Sequence, residues 1–210
     1  LNLINDILDL SKIEANLMSL NIEEVHASSL LRELKELFIP QAEDKNIQLD
    51  SVISSDALTV FSSDKSKLTQ ILVNFLSNAM KFTDKNGSIT IEVTESTEED
   101  KDIRPISISI IDNGIGIVEE KIDLVFEAFK QADGGTSRQY GGTGLGLSIS
   151  KELSTLLGGR IVVNSVVNEG SKFSILLPLE INTDLIDESL VEHLKYEKIL
   201  STVLPIDNSI

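Results

Sequence analysis

The segment QILVNFLSNAMKFT occupies residues 70–83 of the chain. In a helix, at about 100° per residue, Asn74, Asn78 and Lys81 fall within an arc of roughly 60°. The neighbouring arc is apolar, as in a helix that buries one face, and contains Leu68, Ile71, Leu72, Phe75, Leu76 and Ala79. Carboxamide oxygens can bind Mg²⁺ and a lysine can contact phosphate oxygens, so the polar arc suits half of a nucleotide-triphosphate site. A solvated polar face on an ordinary amphipathic helix explains the same three residues.

Composition narrows the classes of protein that the chain can represent. It has 210 residues, 34 of them acidic and 18 Lys or Arg, and a formal net charge of −16. An acidic surface argues against nucleic acid or an anionic membrane as the main partner. Cysteine is absent, which excludes disulfides, thiolate chemistry and zinc–thiolate sites. No apolar run approaches the roughly 18 residues of a membrane span, and no basic signal-peptide region is present, so we expect a cytoplasmic chain.

Hydrophobic periodicity predicts three main helices and about six strands. The helices are expected at residues 28–43, 64–83 and 143–157, and the strands at 47–53, 58–61, 88–94, 106–111, 160–166 and 172–179. Ser28 or Ser29 is expected to cap the first helix and Asp64 the second. A shorter helical stretch is predicted at 119–126. Because the strands are adjacent in pairs, the pattern favours an α+β two-layer sandwich with three helices on one face of a mixed sheet.

Three finer expectations accompany this pattern. The inner face of the first helix should contain Leu30, Leu31, Leu34, Leu37 and Phe38. The acidic hairpin tip at residues 95–102 should be solvated. Residues 1–16 show a broad helical stripe that begins without a capping residue, which favours the end of a helix that starts upstream.

The segment Asp112-Asn113-Gly114-Ile115-Gly116-Ile117 places a carboxylate at the end of a predicted strand. A carboxylate accepts hydrogen bonds, so Asp112 could take the exocyclic amine of adenine. The two glycines could then let the ring approach the backbone. A simple Asp-Asn-Gly turn accounts for the same residues.

A second glycine-rich segment, GGTGLGL at residues 141–147, opens the third predicted helix. Glycines at a helix start expose backbone N–H groups at the positive end of the dipole, which suits phosphates. No Lys-Ser or Lys-Thr follows the last glycine, and the Gly-x-Gly-x-Gly spacing differs from the dinucleotide fingerprint. Arg138 lies just upstream, where its guanidinium could reach phosphate oxygens.

Taken together and in this order, the motifs resemble the catalytic, ATP-binding part of two-component sensor histidine kinases. These belong to the Bergerat-fold (GHKL) superfamily, with gyrase, mismatch-repair and chaperone ATPases. The motifs that carry the resemblance are Asn74-x-x-x-Asn78-Ala79-x-Lys81-Phe82-Thr83, Asp112-x-Gly114-x-Gly116, Phe126-Glu127-x-Phe129 with Gln131 and Asp133, Gly142-x-Gly144-x-Gly146, and Gly170-Ser171-x-Phe173. The resemblance covers roughly residues 1–180.

The resemblance implies ATP and Mg²⁺ as ligands, with Asn78 as the metal ligand and Asn74 supporting the metal and phosphates. Lys81 and Arg138 are implied phosphate contacts, and together with Asn74 they form the implied catalytic set. Asp112 resembles the adenine-specifying carboxylate, and Ser171 a residue that contacts adenine through water. The other implied ATP-binding residues are Gly114, Gly116, Ile117, Phe126, Phe129, Gly142, Thr143, Gly144, Leu145 and Gly146. Residues 126–141 resemble a lid that closes over ATP.

One residue distinguishes a kinase from an ATPase within this superfamily. In the related ATPases, a glutamate that activates water lies four residues before the metal-binding asparagine, whereas this chain has Asn74. A carboxamide cannot accept a proton at neutral pH, so rapid hydrolysis is not expected. The resemblance therefore implies transfer of the γ-phosphate of ATP to a histidine. A catalytically silent nucleotide-binding module and, less favoured, a GHKL ATPase are the alternatives.

The histidine that accepts phosphate in this family lies in a His-Glu-x-x-Thr-Pro motif, and neither His26 nor His193 has that context. Residues 1–16 resemble the end of the second helix of the dimerisation hairpin, so the acceptor helix is expected upstream. We assign 17–26 to a connector, 27–180 to the ATP-binding domain and 181–210 to a linker or the start of another module.

The implied partners are the histidine-bearing helix, from the same or a partner subunit, and a response regulator or receiver domain. Nucleic acid is not expected as a partner. The full-length protein is expected to be a homodimer, with or without a membrane anchor, and this fragment a monomer.

Overall fold

The computed structural model describes residue 8, residues 11–13, residue 15 and residues 18–97, 99–127 and 144–181. Its strands are β1 (Glu23–His26), β2 (Gln48–Ile53), β3 (Val60–Ser63), β4 (Ser88–Glu95), β5 (Ile106–Asp112), β6 (Arg160–Val166) and β7 (Gly170–Leu177). Its α-helices are α1 (Ala27–Lys45), α2 (Lys65–Phe82) and α3 (Gly146–Leu156), with 3₁₀ turns at Glu119–Lys121 and Leu124–Phe126. Most of the predicted N-terminal helix, most of the lid and the 182–210 tail lie outside the described residues.

Five strands form one mixed sheet in the order β2-β4-β5-β7-β6, and β1 pairs with β3 in a separate antiparallel ribbon. Within the sheet β2 and β4 are parallel, and the other neighbours are antiparallel. Helix α1 packs against β2, α2 against β5 and α3 against β6. The predicted two-layer sandwich with three helices on one face of a mixed sheet is confirmed. Among the described residues, no helix is long and apolar enough to cross a membrane.

The core lies between the helices and one face of the sheet. Alternate residues of the central strands point into it, namely Ile89, Ile91 and Val93 of β4, Ile106, Ile108 and Ile110 of β5, and Phe173, Ile175 and Leu177 of β7. All six residues of the predicted apolar arc of α2 are buried at 3% exposure or less. Phe75 of α2 packs on Phe173 of β7 with ring centroids 5.4 Å apart. This contact positions the polar arc of α2 beside the end of the sheet.

The predicted serine cap of α1 is wrong. The helix begins at Ala27 directly after β1, and His26 precedes it without a side-chain capping bond. The backbone N–H of Ala27 instead donates to the carbonyl of Thr59, 2.8 Å away. The segment before β3 thus satisfies one of the N–H groups that are free at the start of a helix. Leu37, predicted on the inner face, is 57% exposed, whereas Leu34 and Phe38 are buried.

Helix α3 starts later than predicted, and the hairpin tip is less solvated than predicted. Gly144 has a φ of +72°, which is incompatible with a right-handed helix, so regular structure begins only at Gly146. In the tip, Asp100 is only 7% exposed. Its carboxylate pairs with Arg160 at the start of β6 and lies 3.8 Å from Arg104. Asp100 therefore has a long-range partner, Arg160, where the sequence predicted a solvated residue.

Asp64 joins the connector to α2. Its Oδ1 accepts the N–H of Lys67, 3.0 Å away, which confirms the predicted cap. Its Oδ2 accepts the N–H of Asn21 at 2.9 Å. Asp64 is 3% exposed and both bonds are part-buried, so removing the carboxylate would leave two backbone donors without their protein partner.

Asp64→Ala is therefore expected to lower the free energy of unfolding by about 2 kcal/mol, roughly half from the lost cap and half from the unpaired Asn21 N–H. Asp64→Asn is the matched control, because asparagine caps helices well but its carboxamide has only one acceptor oxygen. We expect it to lose about half as much. Denaturant unfolding measures both, and an alanine variant within about 0.5 kcal/mol of the parent would contradict the two-donor role.

Candidate functional site

Three polar side chains form one row at the end of the helix-covered sheet face. Asp112 is the last residue of β5 and pairs in register with Ser171 of β7, which pairs in turn with Ser165 of β6. The next row inward is apolar and contains Ile110, Phe173 and Val163. A ligand that entered here would meet polar groups at the rim and a hydrophobic floor beneath them, as in many small-molecule sites.

Asp112 is a buried carboxyl group, 9% exposed. Burial raises the pKa of Asp112 above its ordinary value, and hydrogen bonds from the backbone N–H groups of Gly114 and Ser171 oppose that rise. The bond from Gly114 to Oδ1 is 2.8 Å long. A carboxylate in such surroundings gains strongly from a further hydrogen-bond donor, because an unpaired buried charge is costly.

The glycines after Asp112 are required by the protein's own packing. A Cβ on Gly114 would lie 2.4 Å from the carbonyl oxygen of Phe82, and one on Gly116 2.1 Å from that of Val166. Gly116 also has a φ of +69°. The sequence suggested that these glycines let a base approach the backbone. The structure adds a second reason, since the loop lies directly against the end of α2 and the end of β6. The approach of a base stays a prediction.

Asn74 connects the middle of α2 to the start of α3. Its Nδ2 donates to the carbonyl oxygen of Gly146 at 2.9 Å and to Oγ of Ser150 at 3.1 Å. The hydroxyl of Ser150 donates to the same Gly146 carbonyl, also at 2.9 Å. Both N–H groups of the carboxamide are thus used within the protein. A Cβ on Gly146 would lie 2.8 Å from Oδ1 of Asn74, so a larger residue at position 146 would have to displace the Asn74 side chain.

This contact explains an amide at position 74 independently of catalysis. A glutamate or aspartate there would direct acceptor oxygens toward the Gly146 carbonyl, which is also an acceptor. Asn74 therefore positions the first turn of α3 in this structure. Asn78 lies one turn further along α2, half-buried on the same face.

Lys81 lies near the C-terminal end of α2, and its Nζ is 4.7 Å from the centre of the Phe82 ring. Partial burial lowers the pKa of Lys81. A partly desolvated ammonium interacts more strongly with anions than one fully in water, which suits a phosphate contact.

The remaining predicted residues divide between described and undescribed segments. Leu145 is buried, and its carbonyl accepts the hydroxyl of Ser148 at 2.8 Å. Ile117 and Phe126 pack partly buried against the core. Phe129, Arg138, Gly142 and Thr143 lie outside the described residues, so their contacts with ATP stay predictions. His26 is exposed in β1 and lies 3.0 Å from Glu24, while His193 lies outside the described residues.

Two site-bordering serines were not singled out from the sequence. Ser165 accepts a hydrogen bond from the Ile117 N–H, and Ser150 contacts Asn74. A signal for Ser165 was available, because a hairpin centred on Asn168 places residues 165 and 171 opposite each other. For Ser150 the signal was its position four residues after Gly146 on a predicted helix.

Comparison with known families identifies the fold and its relatives. Residues 63–181 match the family model described as histidine kinase-, DNA gyrase B-, and HSP90-like ATPase. The chain belongs to this family. The match begins just before the capping residue of α2 and ends after β7, so it contains all of the site described above.

Individual relatives include a sensor protein and a histidine kinase catalytic domain. Sensor protein GacS of Pseudomonas syringae pv. syringae is 42% identical over 192 residues, which are 90% of this chain and 21% of GacS. The crystal structure of full-length ShkA in complex with AMPPNP is 32% identical with a TM-score of 0.73, and covers 84% of this chain and 35% of that one. The nucleotide-free catalytic domain of histidine kinase ThkA is 26% identical with a TM-score of 0.64, and covers 77% of this chain and 100% of that one. The chain thus spans about a fifth of the length of GacS.

Proposed function

We propose that this chain is the ATP-binding catalytic domain of a sensor histidine kinase. The observation that carries the proposal is that α2 contacts both glycine-rich motifs, the one that follows Asp112 and the one that opens α3. The Ile115 N–H meets the Phe82 carbonyl at 3.3 Å, and Asn74 holds Gly146. Eight residues of helix separate these contacts, a rise of about 12 Å. That separation suits a ligand with its base near Asp112 and its phosphates near α3, and AMPPNP, the ligand of the ShkA complex, is an ATP analogue.

The residues present fit ATP and Mg²⁺. Asp112 is a buried acceptor suited to the adenine amine, and Lys81 is a partly desolvated cation suited to phosphate. The carboxamide oxygen of Asn78 is a hard ligand that would hold Mg²⁺, which supplies charge neutralisation on the phosphates when bound. The start of α3, fixed by Asn74, would orient those phosphates.

The proposed reaction transfers the γ-phosphoryl group to an imidazole nitrogen. The bond between the γ-phosphorus and the β–γ bridging oxygen breaks, ADP leaves, and a phosphorus–nitrogen bond forms. Positioning and charge neutralisation supply most of the catalysis in such transfers, so the site needs no strong base. Asn74, with both N–H groups used in the protein, is consistent with that requirement.

Calorimetric titration of the chain with ATP, with and without Mg²⁺, tests the proposal. We expect Mg²⁺-dependent binding without release of inorganic phosphate over hours. Adding a dimerisation hairpin with the phosphoacceptor histidine should then produce acid-labile phosphate on that hairpin. Failure to bind ATP would overturn the proposal.

The same experiment separates the two alternatives. A GHKL ATPase would release phosphate from ATP without any hairpin. A catalytically silent signalling module would bind ATP but leave the hairpin unphosphorylated. The amide at position 74, with its two donors facing α3, is the observation that counts against the ATPase.

Partners and location follow from the same proposal. The partners would be the histidine-bearing helix, in the same or a partner subunit of a homodimer, and a response regulator or receiver domain. We propose a cytoplasmic location for the domain. The connector at 17–26 and the segment at 181–210 would join it to the neighbouring modules.

A further inference from the structure

We propose that Ser165 is a positioning residue that sets the direction of the Ser171 hydroxyl and thereby favours adenine over guanine. The inference rests on the proposed function, since it concerns the base of the bound nucleotide. It begins from the row in which Ser171 lies between Asp112 and Ser165. Nothing in the motifs themselves assigns a role to Ser165.

The hydroxyl of Ser165 has three polar neighbours. It accepts the N–H of Ile117 at 2.8 Å and donates to the carbonyl of Gly170 at 2.9 Å. Its oxygen also lies 2.9 Å from Oγ of Ser171. A hydroxyl has one proton and two acceptor lone pairs. Because a carbonyl can only accept, we assign the single proton of Ser165 to its bond with Gly170. Its second lone pair is then left to accept the proton of Ser171.

The direction of that bond determines what Ser171 offers to a ligand. Once its proton points to Ser165, Ser171 has only acceptor lone pairs left, and neighbouring Asp112 is an acceptor as well. The amine of adenine carries two N–H donors at the position where guanine has a carbonyl oxygen. An acceptor-only rim therefore matches adenine and opposes guanine. Without Ser165, the Ser171 hydroxyl could turn and donate to a guanine carbonyl.

The test compares dissociation constants for ATP and GTP in the parent chain and in Ser165→Ala. Loss of one oriented hydrogen bond should lower the preference for ATP over GTP about tenfold, mainly through tighter GTP binding. Ser165→Thr retains a hydroxyl on the strand and should restore the preference. In a Ser171→Ala background, Ser165→Ala should cause no further change, because its effect acts through Ser171.

Ser174→Ala is the matched control. Ser174 lies three residues after Ser171 on β7, where strand alternation places it on the opposite face of the sheet. Its hydroxyl pairs with that of Ser109 at 2.8 Å, and it is more buried than Ser165. The ratio of its dissociation constants for ATP and GTP should equal that of the parent. If Ser165→Ala does not fold, Ser165→Cys, with its weak hydrogen-bonding group, serves the same comparison.

Equal losses of ATP and GTP affinity in Ser165→Ala would overturn the inference, since a merely structural role predicts that result. An unchanged ratio of the ATP and GTP dissociation constants in Ser165→Ala would also overturn it. So would a further change in that ratio when Ser165→Ala is added to Ser171→Ala. A parent chain that binds neither nucleotide would overturn the proposed function together with this inference, whereas a parent that binds ATP with a ratio insensitive to Ser165 would overturn the inference alone.

Discussion

Asp112→Asn is expected to weaken ATP binding by about 100-fold or more, the value of a strong hydrogen bond to a charged group. In the parent, the Gly114 N–H donates to Oδ1 of Asp112 at 2.8 Å, and the oxygen of an asparagine can accept the same bond. Its Nδ2 would then face the adenine amine, so that a donor meets a donor. Calorimetric titration with ATP measures the loss. GTP binding is expected to fall less or to improve, because a guanine carbonyl can accept from the new amide.

The pH dependence of binding should change with the same substitution. As the pH is lowered, Asp112 takes up a proton and ATP affinity should fall. Because burial raises the pKa of Asp112, this fall should begin at a higher pH than it would for an exposed aspartate. This fall should be missing in Asp112→Asn.

Folding stability provides the control. A raised pKa in the folded state means that Asp112 contributes stability below the pKa of the unfolded chain, and that this contribution is lost as pH rises through the folded-state pKa. At neutral pH the asparagine variant should therefore unfold at the same temperature or a higher one. Unchanged ATP affinity in a folded variant would disprove the adenine-binding role of Asp112.

Asn78→Ala is expected to abolish the Mg²⁺-dependent part of ATP binding and to leave the fold intact. Asn78 is half-buried on the polar face of α2, one turn after the residue that holds α3. Its carboxamide oxygen is the proposed metal ligand, and alanine removes it. Alanine also has the highest helix propensity, so α2 itself should not be weakened. Titration with and without Mg²⁺, together with a thermal melt, measures both effects.

Ser77→Ala is the matched control for this variant. Ser77 precedes Asn78 on the same helix but is exposed. It should bind ATP and Mg²⁺ as the parent does. If Asn78→Ala binds as tightly with Mg²⁺ as the parent, the metal is held by other groups and the assignment of Asn78 is wrong.

Much of the local structure was predictable because it depends on residues near one another in the chain. The apolar arc of α2 follows from helical periodicity, and Asp64 caps that helix through Lys67, three residues later. Strand β6 spans the predicted residues, since alternation and a turn define it locally. The predictions were wrong where a contact with a distant segment determines the structure. At the start of α1, for example, the N–H of Ala27 bonds to the carbonyl of Thr59, and the predicted serine cap is not formed.

By itself, the sequence determined the family, the helical face that carries Asn74 and Asn78, and the acidic residue at the end of β5. These depend on residue order and short-range geometry. Only the tertiary structure decided how the groups meet. Asp112, Ser171 and Ser165 share a row because β5, β7 and β6 pair in one register. Asn74 reaches Gly146 across 72 residues because α2 packs on α3. Such contacts form when segments that are distant in the chain bury a common core. The local sequence of either segment therefore does not predict them.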